Sequence, residues 1–260
     1  MNSVSVRALL MRGMLAGLLA GAAAFLVAYF LGEAHVDAAI AIEEAGLADH
    51  HGGAAAPADH DHGEEAPVSR ALQATAGLGT GVLLYGVALG GIAALVFAFA
   101  LGRIGRFSPR ATAALVALGA FVTTTLVPFF KYPANPPAVG DPETAARRTA
   151  LYLLMIALGL LLAAGAAILG RRLAPTLGTW HASWAAGGFF VVAVGLAYAF
   201  LPAVNEVPED FPATLIWQFR LASLAIQTAL WAVFGLAFGT LAERALVPAV
   251  RAKEAVQPTG

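Results

Sequence analysis

The sequence predicts an all-α integral membrane protein: a bundle of six transmembrane helices, or five if the first is removed, with a disordered His- and acid-rich outer loop. Three observations carry this. Apolar residues make up 59% of the 260 and charged residues 12%, where a soluble domain carries about 25% charged. Six stretches, 8–31, 77–102, 111–130, 150–169, 183–201 and 216–242, each reach the roughly 20 apolar residues that a bilayer core demands. None alternates with a period of two, which argues against a lipid-facing β-barrel. The chain divides into an N-terminal transmembrane helix (1–31), an extracytoplasmic loop rich in His, Asp and Glu (32–76), a five-helix membrane domain (77–242) and a cytoplasmic tail (243–260).

The first stretch has Arg7 and Arg12 ahead of its apolar run, and that run is longer than the 7–15 residues usual for a signal-peptide core. It reads as a retained span, and its cleavage would leave five. Gly13, Gly17 and Gly21 recur at small-xxx-small spacing, as do Gly77 with Gly81, Gly86 with Gly90, and Gly235 with Gly239. Such spacing lets helix backbones approach closely in lipid. Thr123, Thr124 and Thr125 precede Pro128 in the third span and can cover backbone groups that the proline frees. With the N-terminus inside, ten of the 15 Lys and Arg residues fall on the cytoplasmic side, which favours both termini inside. Arg147 and Arg148 argue the other way. Tyr132, Trp180, Trp184 and Trp217 sit where membrane interfaces should be.

A net charge of −1 offers no basic face for nucleic acid. The absence of cysteine removes disulfides and thiolate metal sites, so a bound metal must rely on nitrogen and oxygen donors. No His-Glu-x-x-His string, nucleophile elbow or Walker A loop is present, and the chain is not expected to be an enzyme. No tightly bound cofactor is implied. Without a phosphate-binding loop, transport would draw on the ion's gradient and the membrane potential. A divalent cation gains about 4.6 kcal/mol on entering across 100 mV, enough for roughly 2000-fold accumulation.

Residues 32–70 are polar, acidic and rich in Ala, Gly and Pro, with too little apolar material for a core. Within them, 49–65 hold His50, His51, His60 and His62 interleaved with Asp49, Asp59, Asp61, Glu64 and Glu65. Neutral imidazole and carboxylate together suit divalent metal ions, so His50, His51, His60, His62, Asp59 and Asp61 form a candidate capture loop. The flexible spacer predicts modest affinity and fast exchange. Such a tract does not select among cobalt, nickel, zinc and copper(II).

Two further connections share the outer face on this topology. Residues 128–137 contain four prolines, which forbid helix and hold the chain extended. Residues 201–212 carry Glu206, Glu209 and Asp210, whose charge would concentrate cations near an entrance. Asn205 and Glu206 are candidate oxygen ligands there. Arg220, Ser223, Gln227 and Trp231 fall on one face of the last span. Burying such groups against lipid is costly, so that face should point into the bundle and line a pathway. His181, at the start of the fifth span, reads as a hydrogen-bonded anchor.

The runs Pro128-Phe129-Phe130-Lys131-Tyr132-Pro133-Ala134-Asn135-Pro136-Pro137-Ala138-Val139-Gly140 and Leu201-Pro202-Ala203-Val204-Asn205-Glu206-Val207-Pro208, then Asp210-Phe211-Pro212 and Trp217-Gln218-Phe219-Arg220-Leu221-Ala222-Ser223, resemble the CbtA family, described as the probable cobalt transporter subunit. The early Arg12-Gly13 and its glycine-rich apolar run fit as well, and the likeness covers residues about 5 to 245. The resemblance implies a multi-pass protein of the bacterial cytoplasmic (inner) membrane, with about five spans, serving Co2+ uptake for cobalamin synthesis. It also implies a partner besides lipid and the ion, a small one-span CbtB-like subunit with its own histidine motif. It supplies no ligand residues. The alternatives are a non-conducting accessory metal-binding subunit, and transport of nickel, zinc or copper.

Overall fold

A computed structural model describes the backbone of residues 3–51 and 69–256 and the side chains of 6–46 and 69–246. Helix is the only extended regular structure among them. The helices are α1 (Ser3–Val27), α2 (Glu33–His51), α3 (Arg70–Leu72), α4 (Leu78–Ala100), α5 (Pro109–Phe121), α6 (Val127–Lys131), α7 (Ala145–Phe200) and α8 (Ala213–Val256). Wide π-helical turns at Ala28–Gly32, Gln73–Gly77 and Val122–Leu126 join α1 to α2, α3 to α4 and α5 to α6 without a break. The result, among the described residues, is five helices long and apolar enough to cross a membrane. Their outer faces carry large apolar side chains, among them Phe30, Phe99, Leu161, Phe200 and Leu236, as a surface solvated by lipid requires.

α1, α4, α5 and α8 form the core. Ala16, Ala20 and Ala24 of α1, Ala94 and Phe97 of α4, Ala113 and Ala117 of α5, and Phe234 and Phe238 of α8 pack in one cluster. Phe97 stands edge-on to Phe238 at 5.0 Å, and Phe234 stacks on Phe238 at 5.3 Å. The closest approach is between α1 and α4. A methyl group at Gly17 would strike the Gly86 carbonyl, and one at Gly90 the Gly13 carbonyl. The Gly13-Gly17-Gly21 and Gly86-Gly90 ladders therefore interlock. Gly235 and Gly239 meet α5 at Ala117, Ala113 and Arg110. Gly81 faces open space, and Gly77 meets its own turn at Leu72, so that pair is not a helix interface.

α7 is 56 residues long, about 84 Å at 1.5 Å per residue, twice the roughly 40–45 Å of a whole bilayer. It is two apolar arms. Gly178, at φ 75° and ψ 159°, breaks the helix in a conformation that essentially only glycine adopts. The arms then fold back on each other. A Cβ at Gly165 would lie 3.6 Å from Phe189, and one at Gly170 3.2 Å from Ala186. This hairpin leans on α6 through Met155, Val194 and Val127 and stands at the periphery of the core.

The first helix does not stop where the apolar run does. Residues 33–51 continue as helix, although they were expected to lie in a loop. They are rich in alanine, the best helix former. Arg70 grips Glu33 and reaches Asp37 at 2.9 Å, and Ala39 packs against Val139, Phe211 and Ile216. α2 thus rests on both polar connections, so the chain leading to the histidine tract leaves from their end of the bundle.

Candidate functional site

The site grows from the proline-rich connection. Pro128 cannot donate a helical hydrogen bond and crowds the carbonyl four residues back. The wide turn Val122–Leu126 stands immediately before it. Thr123 and Thr124 donate to the carbonyls of Gly119 and Ala120, each at 2.8 Å, and Thr125 lines a cavity. Three bonds tie this end of α6 to the end of α7. Lys131 Nζ donates to the Tyr198 carbonyl at 2.8 Å, the Tyr198 hydroxyl to the Val127 carbonyl at 2.5 Å, and the Tyr132 hydroxyl to the Pro202 carbonyl at 2.9 Å. Burial raises the Tyr132 phenol, against the pull of Arg147, so it remains a neutral donor.

Glu206 is the clasp between the proline-rich and the acidic connection. Its Oε1 accepts from the Thr144 hydroxyl at 2.6 Å and its Oε2 from the Asp141 backbone N–H at 2.9 Å. Arg148 Nε lies 3.2 Å from Oε2, and Arg148 Nη2 donates to the Asp141 carbonyl at 3.0 Å. Gly140, at φ 120°, leaves the space that the Arg148 guanidinium fills. Arg220 holds the other wall, donating from Nε to the Ala134 carbonyl at 3.2 Å and from Nη2 to Asn135 Oδ1 at 2.9 Å.

Two adjoining cavities lie inside this frame and share Tyr132, Pro133 and Tyr152. The outer, about 300 Å3, is lined by Asn135, Arg148, Asn205, Glu206 and Arg220. The inner, about 350 Å3, is lined by Thr125, Ser223 and Gln227. Together they follow the polar face of α8 inward, between the core and the α7 hairpin. Gln227 Oε1 and Trp231 Nε1 are buried without a hydrogen-bond partner.

A family model described as "Probable cobalt transporter subunit (CbtA)" matches residues 6–243, nearly the whole chain. The chain belongs to the CbtA family. No curated protein and no solved structure matches it. The chain is therefore a multi-pass membrane subunit of a transporter family, and that description implies a complex with other subunits.

In this CbtA chain the residues expected to act divide into three groups. Arg220, Ser223 and Gln227 line the paired cavities. Asn205 and Glu206 line the outer one, but both Glu206 oxygens are occupied, and an ion would have to displace Arg148, Thr144 or the Asp141 amide to reach them. His60, His62, Asp59 and Asp61 lie outside the described residues; His50 and His51 end α2 with their side chains undescribed. Among the described residues no group of three or more metal-binding side chains gathers. His181 Nδ1 lies 3.2 Å from the Leu177 carbonyl of its own helix.

Sequence reasoning missed the partners of Glu206. Arg147 and Arg148 stood out only as positive charge on the side where such charge is scarce; Arg148 is there to hold a carboxylate.

The clasp has a pH signature. The Thr144 hydroxyl, the Asp141 amide and then Arg148 and Arg147 hold the Glu206 carboxyl below its ordinary value of 4.5. A carboxyl so lowered adds stability that is complete above its unfolded-state value and is lost as pH falls through the folded-state one. Thermal unfolding in detergent should show a Glu206 contribution that is constant from neutral pH to about pH 5 and fades in stronger acid. Glu206→Gln should lack this acid-sensitive part; superimposable acid profiles would refute the assignment.

Proposed function

We propose that this chain is the membrane subunit of a divalent-cation uptake system in the bacterial cytoplasmic membrane, with Co2+ as cargo. Family membership across residues 6–243 carries the reading. The cavities add a route, since they lead from the outer connections past Ser223 and Gln227 along α8. On this reading the α7 hairpin crosses twice, giving six spans and both termini inside. His50 and His51 at the end of α2, with His60, His62, Asp59 and Asp61 of the segment that follows, capture the ion. Asn205 and Glu206 receive it at the entrance, and a small one-span CbtB-like partner completes the complex.

One observation favours the alternative, a non-conducting subunit that binds metal and leaves passage to another protein. Arg220 at the head of the route has only neutral partners among the described residues. A divalent cation about 5 Å from a lone guanidinium meets roughly 7 kcal/mol of repulsion at an effective dielectric near 20. Liposomes holding the purified chain separate the two readings. Cobalt flux driven by an inside-negative potential supports conduction; no flux until a second subunit is added supports the accessory role. Nickel and zinc in parallel identify the ion.

Changing His50, His51, His60 and His62 to Ala together should lower cobalt uptake by cells several-fold at sub-micromolar metal and far less at high metal, as expected of a capture arm with fast exchange. Uptake unchanged at every concentration removes the arm from the mechanism.

A further inference from the structure

The outer chamber holds a positive charge that no carboxylate among the described residues balances. The two Arg220 bonds, to the Ala134 carbonyl and Asn135 Oδ1, run to neutral acceptors and use two of the five N–H donors a guanidinium carries. Among the described residues no carboxylate pairs with it. Glu206, the acid in the same chamber, is taken by Arg148, Thr144 and Asp141. Arg148 also lines the chamber, and Arg147 lines the space beside it. The chamber is lined by two guanidinium groups and one carboxylate, and Arg147 adds a third positive charge next to it. Asn135 gives its oxygen to Arg220, which leaves its amide nitrogen as a further donor. An ionisable group at the mouth of a membrane bundle with no carboxylate partner among the described residues points to an anion supplied from outside.

We propose that this chamber binds a small oxyanion, a carboxylate or phosphate group, on the free N–H edge of Arg220, with the Asn135 amide as second donor and the Arg148 charge behind it. A planar guanidinium fork matches the paired oxygens of these groups, and about 300 Å3 is ample for either. The bound anion neutralises the head of the route and so removes the repulsion that a divalent ion meets there. The site follows from the charge and shape of the chamber and does not depend on the transport reading; its link to cation passage does. The oxyanion can come from the outer solution or from a phospholipid headgroup, since the chamber sits at the polar end of the bundle.

Purified chain in dodecyl maltoside, which carries neither phosphate nor carboxylate, provides the test. Thermal unfolding and intrinsic fluorescence are followed while inorganic phosphate or citrate replaces chloride at constant ionic strength. A second arm adds dioctanoyl phosphatidylglycerol instead, with dioctanoyl phosphatidylcholine as control. A saturable response in the first arm supports the site and assigns it to solution; a response to phosphatidylglycerol alone supports it and assigns it to lipid. Arg220→Gln should weaken the responding ligand at least tenfold, and Arg220→Lys should restore part of the loss. Asn135→Ala keeps the guanidinium and should weaken binding several-fold, which preserves the test if Arg220→Gln does not fold. No saturable response in either arm, or equal affinity in the folded variants, overturns the proposal. Cobalt flux is measured separately: flux without oxyanion binding overturns this site alone, and oxyanion binding without flux leaves the site and overturns conduction.

Discussion

Replacing Gly17 by valine is expected to unseat the first helix and leave little folded protein. The site is fixed by backbone on both sides. A Cβ at Gly17 would meet the Gly86 carbonyl and lie 3.0 Å from the Gly90 Cα. Neither neighbour can rotate away as a side chain would. α1 and α4 must therefore separate along their length, and the cluster of Ala16, Ala20 and Ala24 against Ala93, Ala94 and Phe97 opens with them. Overpacking usually costs about 1–3 kcal/mol where side chains can adjust; here the upper end is a minimum, because lipid offers no hydrophobic drive to hold a loosened pair together. The measurement is the fraction of monodisperse protein recovered in detergent and its unfolding temperature. Gly81→Ala is the control, since nothing lies within 4 Å of that position, and it should behave as the parent. If Gly17→Val matches Gly81→Ala, the interlocked ladders do not hold the bundle.

That pair of variants also shows how much of the fold was legible. Composition and run length were enough for the membrane class and the approximate spans, because the hydrocarbon thickness sets both. The glycine spacing pointed to close packing but not to where: Gly77 with Gly81 has the same pattern as Gly86 with Gly90, and only the second pair has a helix against it. The pattern is local, and the partner is not. Hydropathy likewise reports where lipid ends and not where a helix ends. It placed the end of the first span near residue 31, while alanine content, the Arg70 ion pairs and the contact of Ala39 with Val139 and Phe211 carry the helix to His51. The polar stripe of α8 was visible as helix periodicity, and its residues do face the interior. The clasp on Glu206 was not visible, since it joins residues 58 and 62 positions apart in sequence through two loops whose shapes no periodicity records.

Gln227→Leu should separate stability from transport. Gln227 lines the inner cavity with its amide beside the Tyr85 phenol, and its Oε1 makes no protein hydrogen bond. An unmet buried acceptor costs about 1–3 kcal/mol, and an apolar replacement of similar size relieves that cost. Leucine should therefore leave the unfolding temperature equal or higher, even though the neighbouring Tyr85 phenol loses its amide partner. A protein tuned only for stability would favour leucine here. The oxygen has a use if a dehydrating cation needs a neutral ligand beside Thr125 and Ser223 of the same cavity. Leucine removes that ligand, and cobalt uptake should fall at least tenfold, since about 1.4 kcal/mol of lost stabilisation at the barrier already gives that factor. Gln227→Glu should behave differently, holding the ion longer and slowing its release while binding it more tightly. Uptake and unfolding are read on the same preparations. A leucine variant that is stable and transports at the parental rate would take Gln227 off the route and place the passage elsewhere in the bundle, or in another subunit.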